Sequence, residues 1–253
     1  MILRREFLLS ALTLAGGILF PGANLFGKSP YPHFFFSQIR YRGGSWDTNP
    51  HFVEAIVEEL EMRTSIDASR ERRLMDLSDP DLFFSPFLFM AGNYEFEPFS
   101  PQERESLRRY LTFGGFFFAE DTLGAKGYGF DRALRAELKK VFPHQDLKRL
   151  PLDHPVYRSF YLINHIGGRQ LVSPYFEGIT LDHWTPVIYS QNDLSGAWSR
   201  DKLGKWIHEC PPGGETQRSL AFKAGINMIV YSLTWDYKRD LVHHPFIKKR
   251  LSP

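Results

Sequence analysis

Two acidic residues, Glu120 and Asp121, close the run Phe116-Phe117-Phe118-Ala119, and His154 stands between Asp153 and Pro155. Carboxylates and imidazoles move protons near neutral pH, so Asp121 with His154 reads as an acid–base couple or as a pair that activates a water. Neighbours on a strand point to opposite faces, so only one of Glu120 and Asp121 can face a given site, and Asp121 is the choice for the catalytic carboxylate. The competing reading of Asp121 is a cap on the backbone amides of the following loop. For His154 the competitor is a structural imidazole bonded to a backbone carbonyl. Pro155 fixes its direction through an extended backbone, and Asp153 can hold its ring.

Residues suited to binding stand around this couple. Arg40, Gly43, Gly44 and Trp46 follow one apolar run and Asn93 follows another, and with Glu120 and Asp153 they make up the expected ligand-binding set. Arg40 can bind a carboxylate or hold a sugar ring against the Trp46 indole. Alternatively it forms a core ion pair with Asp121 or Glu120. The stretch Gly124-Ala125-Lys126-Gly127-Tyr128-Gly129 can cradle an anion on its amides, yet it is neither a Walker loop nor a dinucleotide fingerprint. With two carboxylates beside it, it reads as a mobile loop over a cleft. Trp184, Trp198 and Trp206 are either a late aromatic surface for a sugar or partner, or core. No HExxH-like spacing occurs, so neither a metal site nor a cofactor is expected, and His243-His244 falls in a basic tail.

Strand ends must position these groups. Phe34–Tyr41, Phe83–Met90 and Phe116–Glu120 read as strands, with a further short one over Thr64–Asp67 and a charged turn or helix end over Arg70–Arg73. Asn49-Pro50 opens a helix with apolar Phe52, Val53, Ile56, Val57 and Leu60 at helical spacing. Ser100-Pro101 with Glu103 is a capping signature for a helix that Gly114-Gly115 stops. A third helix spans Phe130–Phe142. The stretch 143–200 is less regular, with strand-like runs at Phe176–Leu181 and Pro186–Tyr189, and a last helix covers Ser219–Trp235. Alternation of this kind predicts an α/β fold: one doubly wound, mostly parallel sheet with helices on both faces. Ligands of such sheets bind outside the carboxyl ends of the strands, where the candidate residues converge.

The chain has 253 residues, 43% hydrophobic and 24% charged, which is a globular composition sufficient for one α/β domain. Lys and Arg number 31 against 29 Asp and Glu, and that balance argues against nucleic-acid binding. The single cysteine, Cys210, excludes an internal disulfide and a cysteine-rich zinc site. Residues 1–27 are set apart as an address. Arg4-Arg5-Glu6-Phe7-Leu8 followed by an apolar run to Phe20 resembles a twin-arginine export signal, and the run is shorter than the ~20 residues that span a bilayer. The resemblance implies the twin-arginine translocase as a partner during export, and a bacterial periplasm or cell exterior as destination. Contact with membrane is expected only through residues 1–27 if they stay uncleaved. The domain is expected over 28–240, with 241–253 a basic tail.

Five segments together resemble the bacterial family called domain of unknown function 4159: Ile39–Trp46, Gly114–Asp121, Leu150–Tyr157, Ser195–Trp198 and Gly225–Tyr231. That family looks like a branch of the class I glutamine amidotransferase-like fold, related to ThuA-like proteins, which implies a flavodoxin-like sheet. Active amidotransferases carry a cysteine on the turn after a central strand. Here that turn reads Glu120-Asp121-Thr122-Leu123-Gly124, while Cys210 lies in Glu209-Cys210-Pro211-Pro212, a poor setting for a nucleophile elbow. The expectation is therefore a domain that binds a carbohydrate-like ligand or a protein partner. The alternative is a hydrolase or isomerase on a carbohydrate-like substrate, with Asp121 and His154 as acid and base and Arg40 orienting the substrate.

Overall fold

A computed structural model of the protein describes residues 34–239. The expected export segment 1–27, the expected tail 241–253 and the expected domain limits at 28 and 240 lie outside the described residues. The strands are β1 (Ser37–Ile39), β2 (Arg73–Met75), β3 (Phe87–Gly92), β4 (Phe116–Asp121), β5 (Lys148–Arg149), β6 (Glu177–Leu181) and β7 (Trp184–Ser190). The helices are α1 (Phe52–Arg63), α2 (Pro101–Thr112), α3 (Gly129–Val141), α4 (Leu194–Trp198) and α5 (Gly214–Arg239).

These strands form one sheet in the order β2-β1-β3-β4-β7-β6-β5. The first five are mutually parallel, and β6 and β5 extend the sheet antiparallel to their neighbours. Counting only the parallel strands, the order is 2-1-3-4-5, the flavodoxin-like arrangement whose switch point lies between β1 and β3. β3, β4 and β7 are buried along their whole length, as continuous apolar runs in a parallel sheet should be.

Helices cover both faces. On one, α1, α4 and α5 pack over Phe36, Phe89, Phe118 and Ile188. On the other, α2 and α3 pack over Leu88, Met90, Phe117 and Tyr189. The phenylalanines interlock edge to face on the first face, with ring centroids 5.2 Å apart for Phe36 and Phe52 and 5.3 Å for Phe36 and Phe87. The signature at Ser100 forms a full capping box: its hydroxyl takes the Glu103 amide while the Glu103 carboxylate takes the Ser100 amide. Helix α5 runs against the strands. At its start Gln217 Nε2 donates to Gly168 O at 2.7 Å on the carboxyl side of the sheet. Three to four turns later the Tyr231 hydroxyl takes the amide of Thr185 at the start of β7 (3.2 Å).

Several elements depart from the sequence reading. β1 is shorter than Phe34–Tyr41, and Phe34 makes only an isolated bridge to Ala68. Thr64–Asp67 is not a strand. The second strand falls instead on Arg73–Met75, because the arginine stems can lie along an edge while Met75 faces the core. The first residues of the expected Phe83–Met90 strand are taken by a 3-10 turn, Pro80–Phe84, capped by Asp79. Beyond 190, the short helix α4 was not foreseen, and α5 is longer than Ser219–Trp235.

Candidate functional site

The carboxyl ends of β4 and β7 carry a closed network of buried polar side chains. Glu120 is fully buried, and its side chain points to the α1–α4–α5 face. It accepts hydrogen bonds from the amides of Leu194 (2.8 Å) and Ser195 (3.2 Å) and from the Ser195 hydroxyl. Asp193, 1% exposed, caps α4 from a left-handed backbone (φ 54°) by accepting the Gly196 amide at 3.0 Å. Asn49, from the loop after β1, donates through Nδ2 to Asp193 Oδ1 (2.7 Å) and to Ser195 Oγ (2.8 Å). Arg169 donates through Nε to Asp193 Oδ2 and through Nη2 to Thr122 O. Of the two buried carboxyl groups, Asp193 takes the guanidinium, while Glu120 is held by two amides and a hydroxyl. Burial, and then the nearby Asp193, push the Glu120 carboxyl up to about 8, against the opposing pull of its hydrogen bonds from Leu194 and Ser195.

Asp121 points to the opposite face. It is buried and accepts the amides of Leu123 (2.9 Å) and Ala125 (3.0 Å), which folds the loop after β4 back over the strand end. Burial raises its pKa and these amides oppose the shift. The arrangement is the loop cap named above as the competing reading. Beside it, buried Asp131 takes the Tyr189 hydroxyl (2.8 Å), the Gly127 amide (2.6 Å) and Arg135 Nε (2.8 Å), so the start of α3 is tied to β7.

The acid–base couple of Asp121 and His154 does not form. Nε2 of His154 lies 2.9 Å from Thr185 Oγ1, and its Nδ1 accepts the Val156 amide, capping a 3-10 turn. Thr185 opens β7, whereas Ser190 at the far end of that strand is the register partner of Glu120. Five residues at about 3.3 Å each separate the two levels, ~17 Å, well beyond direct or one-water proton transfer. Helix α3 carries the chain back to the amino edge, where His154 docks against Thr185 before residues 166–173 return to the carboxyl edge. With both His154 ring nitrogens engaged, exposed Asp153 does not hold the ring.

The remaining candidates scatter along the carboxyl side. Arg40 is exposed and pairs with Asp76 at 3.0 Å, so the core ion pair with Glu120 or Asp121 is not made. Trp46 lies under the guanidinium of Arg72 (5.9 Å), not that of Arg40, and its carbonyl accepts from Gln38 at 2.7 Å. Gly43 and Gly44 adopt positive φ and turn the chain against Glu95–Glu97, with Gly43 bridging to Phe96. Asn93 is partly buried, and its Oδ1 is enclosed without a hydrogen-bond partner among the described residues. Cys210 is buried in the loop before α5, where burial raises its thiol pKa and keeps it protonated. Trp184 and Trp198 are core, and Trp206 is sandwiched between Arg200 and Arg218, each 4.2 Å from its ring.

Residues 35–233 match the family described as domain of unknown function (DUF4159). The chain belongs to this family. No protein of curated function matches it. The DUF4159 segments quoted above fall on structural joints: Gly114–Asp121 holds β4 with both its carboxylates, and Ser195–Trp198 forms most of α4. Within this DUF4159 domain, Asn49, Arg169, Asp193 and Ser195 were missed as site residues. Asn49 read only as a helix start. Asp193 followed by Leu194-Ser195-Gly196 did carry a signal, a capping residue before a short helix, but a five-residue helix has no periodicity to confirm it. Among the described residues, no cluster of His, Cys, Asp or Glu is arranged to hold a metal ion.

Proposed function

We propose that this DUF4159 chain is an exported binding domain, an amidotransferase-like fold without the nucleophilic cysteine, which engages a carbohydrate-like ligand or a protein partner at the carboxyl edge of its sheet. One observation carries the reading: the carboxyl groups at that edge are sealed into the fold, while the loops above them hold apolar side chains out to water. Glu120, Asp121 and Asp193 are each engaged by backbone amides and, for Glu120 and Asp193, by neighbouring side chains as well. Over them, Leu123, Tyr128, Tyr94, Leu171 and Val172 are exposed.

These five belong to one run of loops. A Cβ on Gly124 would lie 2.5 Å from a Val172 methyl, and one on Gly129 would lie 2.9 Å from Asn93 O, so the segments 93–94, 122–129 and 170–172 are in contact. Contiguous exposed apolar side chains on a soluble surface mark a contact site. Arg169 adds a partly exposed guanidinium, and Gln191 adds an amide Nε2 that is buried without a hydrogen-bond partner among the described residues. Tyrosine faces beside amide groups suit a carbohydrate-like ligand, and the wider apolar rim suits a partner. The parallel strand order and the absence of a cysteine in Thr122-Leu123-Gly124 support the amidotransferase-like kinship without its thioester chemistry. The residues at 4–8 support export by the twin-arginine route.

A thermal-shift screen of residues 28–253 against sugars, sugar acids, nucleotides, amino acids and peptidoglycan fragments tests the reading. A ligand at ~100 times its dissociation constant adds about 2.7 kcal/mol. A hit that disappears in Tyr128→Ser or Arg169→Ala, with folding intact, supports binding at this edge. Silence directs the test to capture of a periplasmic partner, compared with Leu123→Asp. Turnover that depends on Asp121 or His154 would overturn the proposal.

A further inference from the structure

Away from the apolar rim, a cleft of about 200 Å³ opens on the flank of α1, between its first turn and the segments 70–72 and 200–202. Four cations line it: Arg70, Arg72, Arg200 and Lys202. The three arginines are fixed by carboxylates that do not line the cleft. Arg70 is held by Glu61 (3.2 Å), Arg72 by both oxygens of Asp47 (2.5 and 3.0 Å), and Arg200 by Glu58 (2.9 Å). The guanidiniums are therefore positioned in advance, and little side-chain freedom remains to be lost when a ligand arrives.

Donors are left over. Arg200 Nε is buried with no hydrogen-bond partner among the described residues. Val53 and Glu54 of the first turn of α1 line the cleft, and His51 at its N-cap makes no side-chain capping bond, so the first amides of this 12-residue helix lack a side-chain cap. Two carboxylates also line the cleft. They are Glu54 and Asp201, and the Oδ1 of Asp201 is engaged by the amides of Leu203 and Lys205 (2.9 Å each). Because the five carboxylates nearby offset the cations at a distance, the site acts through contact donors, not through a long-range field.

We propose that this cleft binds a small oxyanion group, a phosphate or a carboxylate, through the guanidiniums of Arg70, Arg72 and Arg200 and the ammonium of Lys202. This goes beyond the carboxyl-edge reading and uses none of its apolar rim.

Titration calorimetry of the full chain with inorganic phosphate, and separately with citrate, tests the site, with sodium chloride at matched ionic strength as control. Saturable heat with either anion and none with chloride is expected, and which anion binds distinguishes a phosphate from a carboxylate source. Lys202→Glu, at an exposed position, should weaken binding at least ~10-fold, as should Arg70→Ala, whereas Lys139→Glu on the α3 side should leave it unchanged. Absence of saturable binding, an equal response to chloride, or binding that survives both cleft variants overturns the proposal.

Discussion

Asn49 Nδ2 lies 2.7 Å from Asp193 Oδ1, joining two loops that are 144 residues apart in the chain. The same amide reaches Ser195 Oγ, so one side chain from the β1–α1 loop closes the network beneath the carboxyl edge. Asn49→Ala leaves both a buried carboxyl and a buried hydroxyl one donor short. A loss of about 1–3 kcal/mol is expected in urea unfolding. A change under ~0.5 kcal/mol, the range of an ordinary surface substitution, would mean that the network does not hold these loops together.

Stability should fall as pH rises, in a window set by Glu120. Its folded carboxyl sits at about 8, against about 4.5 in the unfolded chain. Below about 4.5 both states hold the proton and the contribution is fully present. As pH rises the unfolded chain releases its proton first, so the contribution is lost progressively up to about 8. Glu120→Gln imitates the protonated form and should flatten this part of the profile. Urea midpoints at pH 5 and pH 8, for both proteins, decide the matter.

Asp121 is a loop cap, and its variants should behave accordingly. Asp121→Ala removes the acceptor for Leu123 and Ala125 and should cost about 1–2 kcal/mol while increasing amide exchange in residues 122–128. Asp121→Asn retains one acceptor oxygen and should retain part of the stability. Equal losses in both variants would point to the charge instead of the cap.

His154 and the carboxyl edge should be independent. His154→Ala deletes the bond to Thr185 and the cap on the Val156 amide, so a loss of about 1–2 kcal/mol is expected. Any ligand found at the carboxyl edge should bind the folded variant with unchanged affinity. Affinity that falls together with the loss of the imidazole would show that the two ends communicate.

The address is open to a direct test. A reporter fused behind residues 1–33 should reach the bacterial periplasm, and replacing both Arg4 and Arg5 by Lys should retain it in the cytoplasm. Export that continues unchanged would point to the general secretory route.

What could be read in the sequence follows from the range of the interactions. β3, β4 and α2 were legible because their signals are local: apolar runs buried on both faces, and a capping box within four residues. β2 was not, because its three residues, Arg73-Leu74-Met75, are strand only through pairing with β1. The site shows the same division. Glu120 and Asp121 announce themselves at a strand end, and the rule of opposite faces places them correctly. Asp121, chosen as the reactive carboxyl, turned out to be occupied by its own loop. Glu120 drew its partners from 75 positions away, a pairing that no local pattern records. His154 failed as a partner because the sequence does not say at which edge an irregular segment will dock.

The course of the chain has a practical consequence. β1 begins at the amino edge, and α5, running against the strands, passes Thr185 on its way to that same edge. Within the described residues the fold is therefore entered and left on the side opposite Tyr128 and Leu123. A sensor-chip linkage made on that side of the described fold would present the exposed tyrosines and leucines outward, free of steric blockade by the attachment itself.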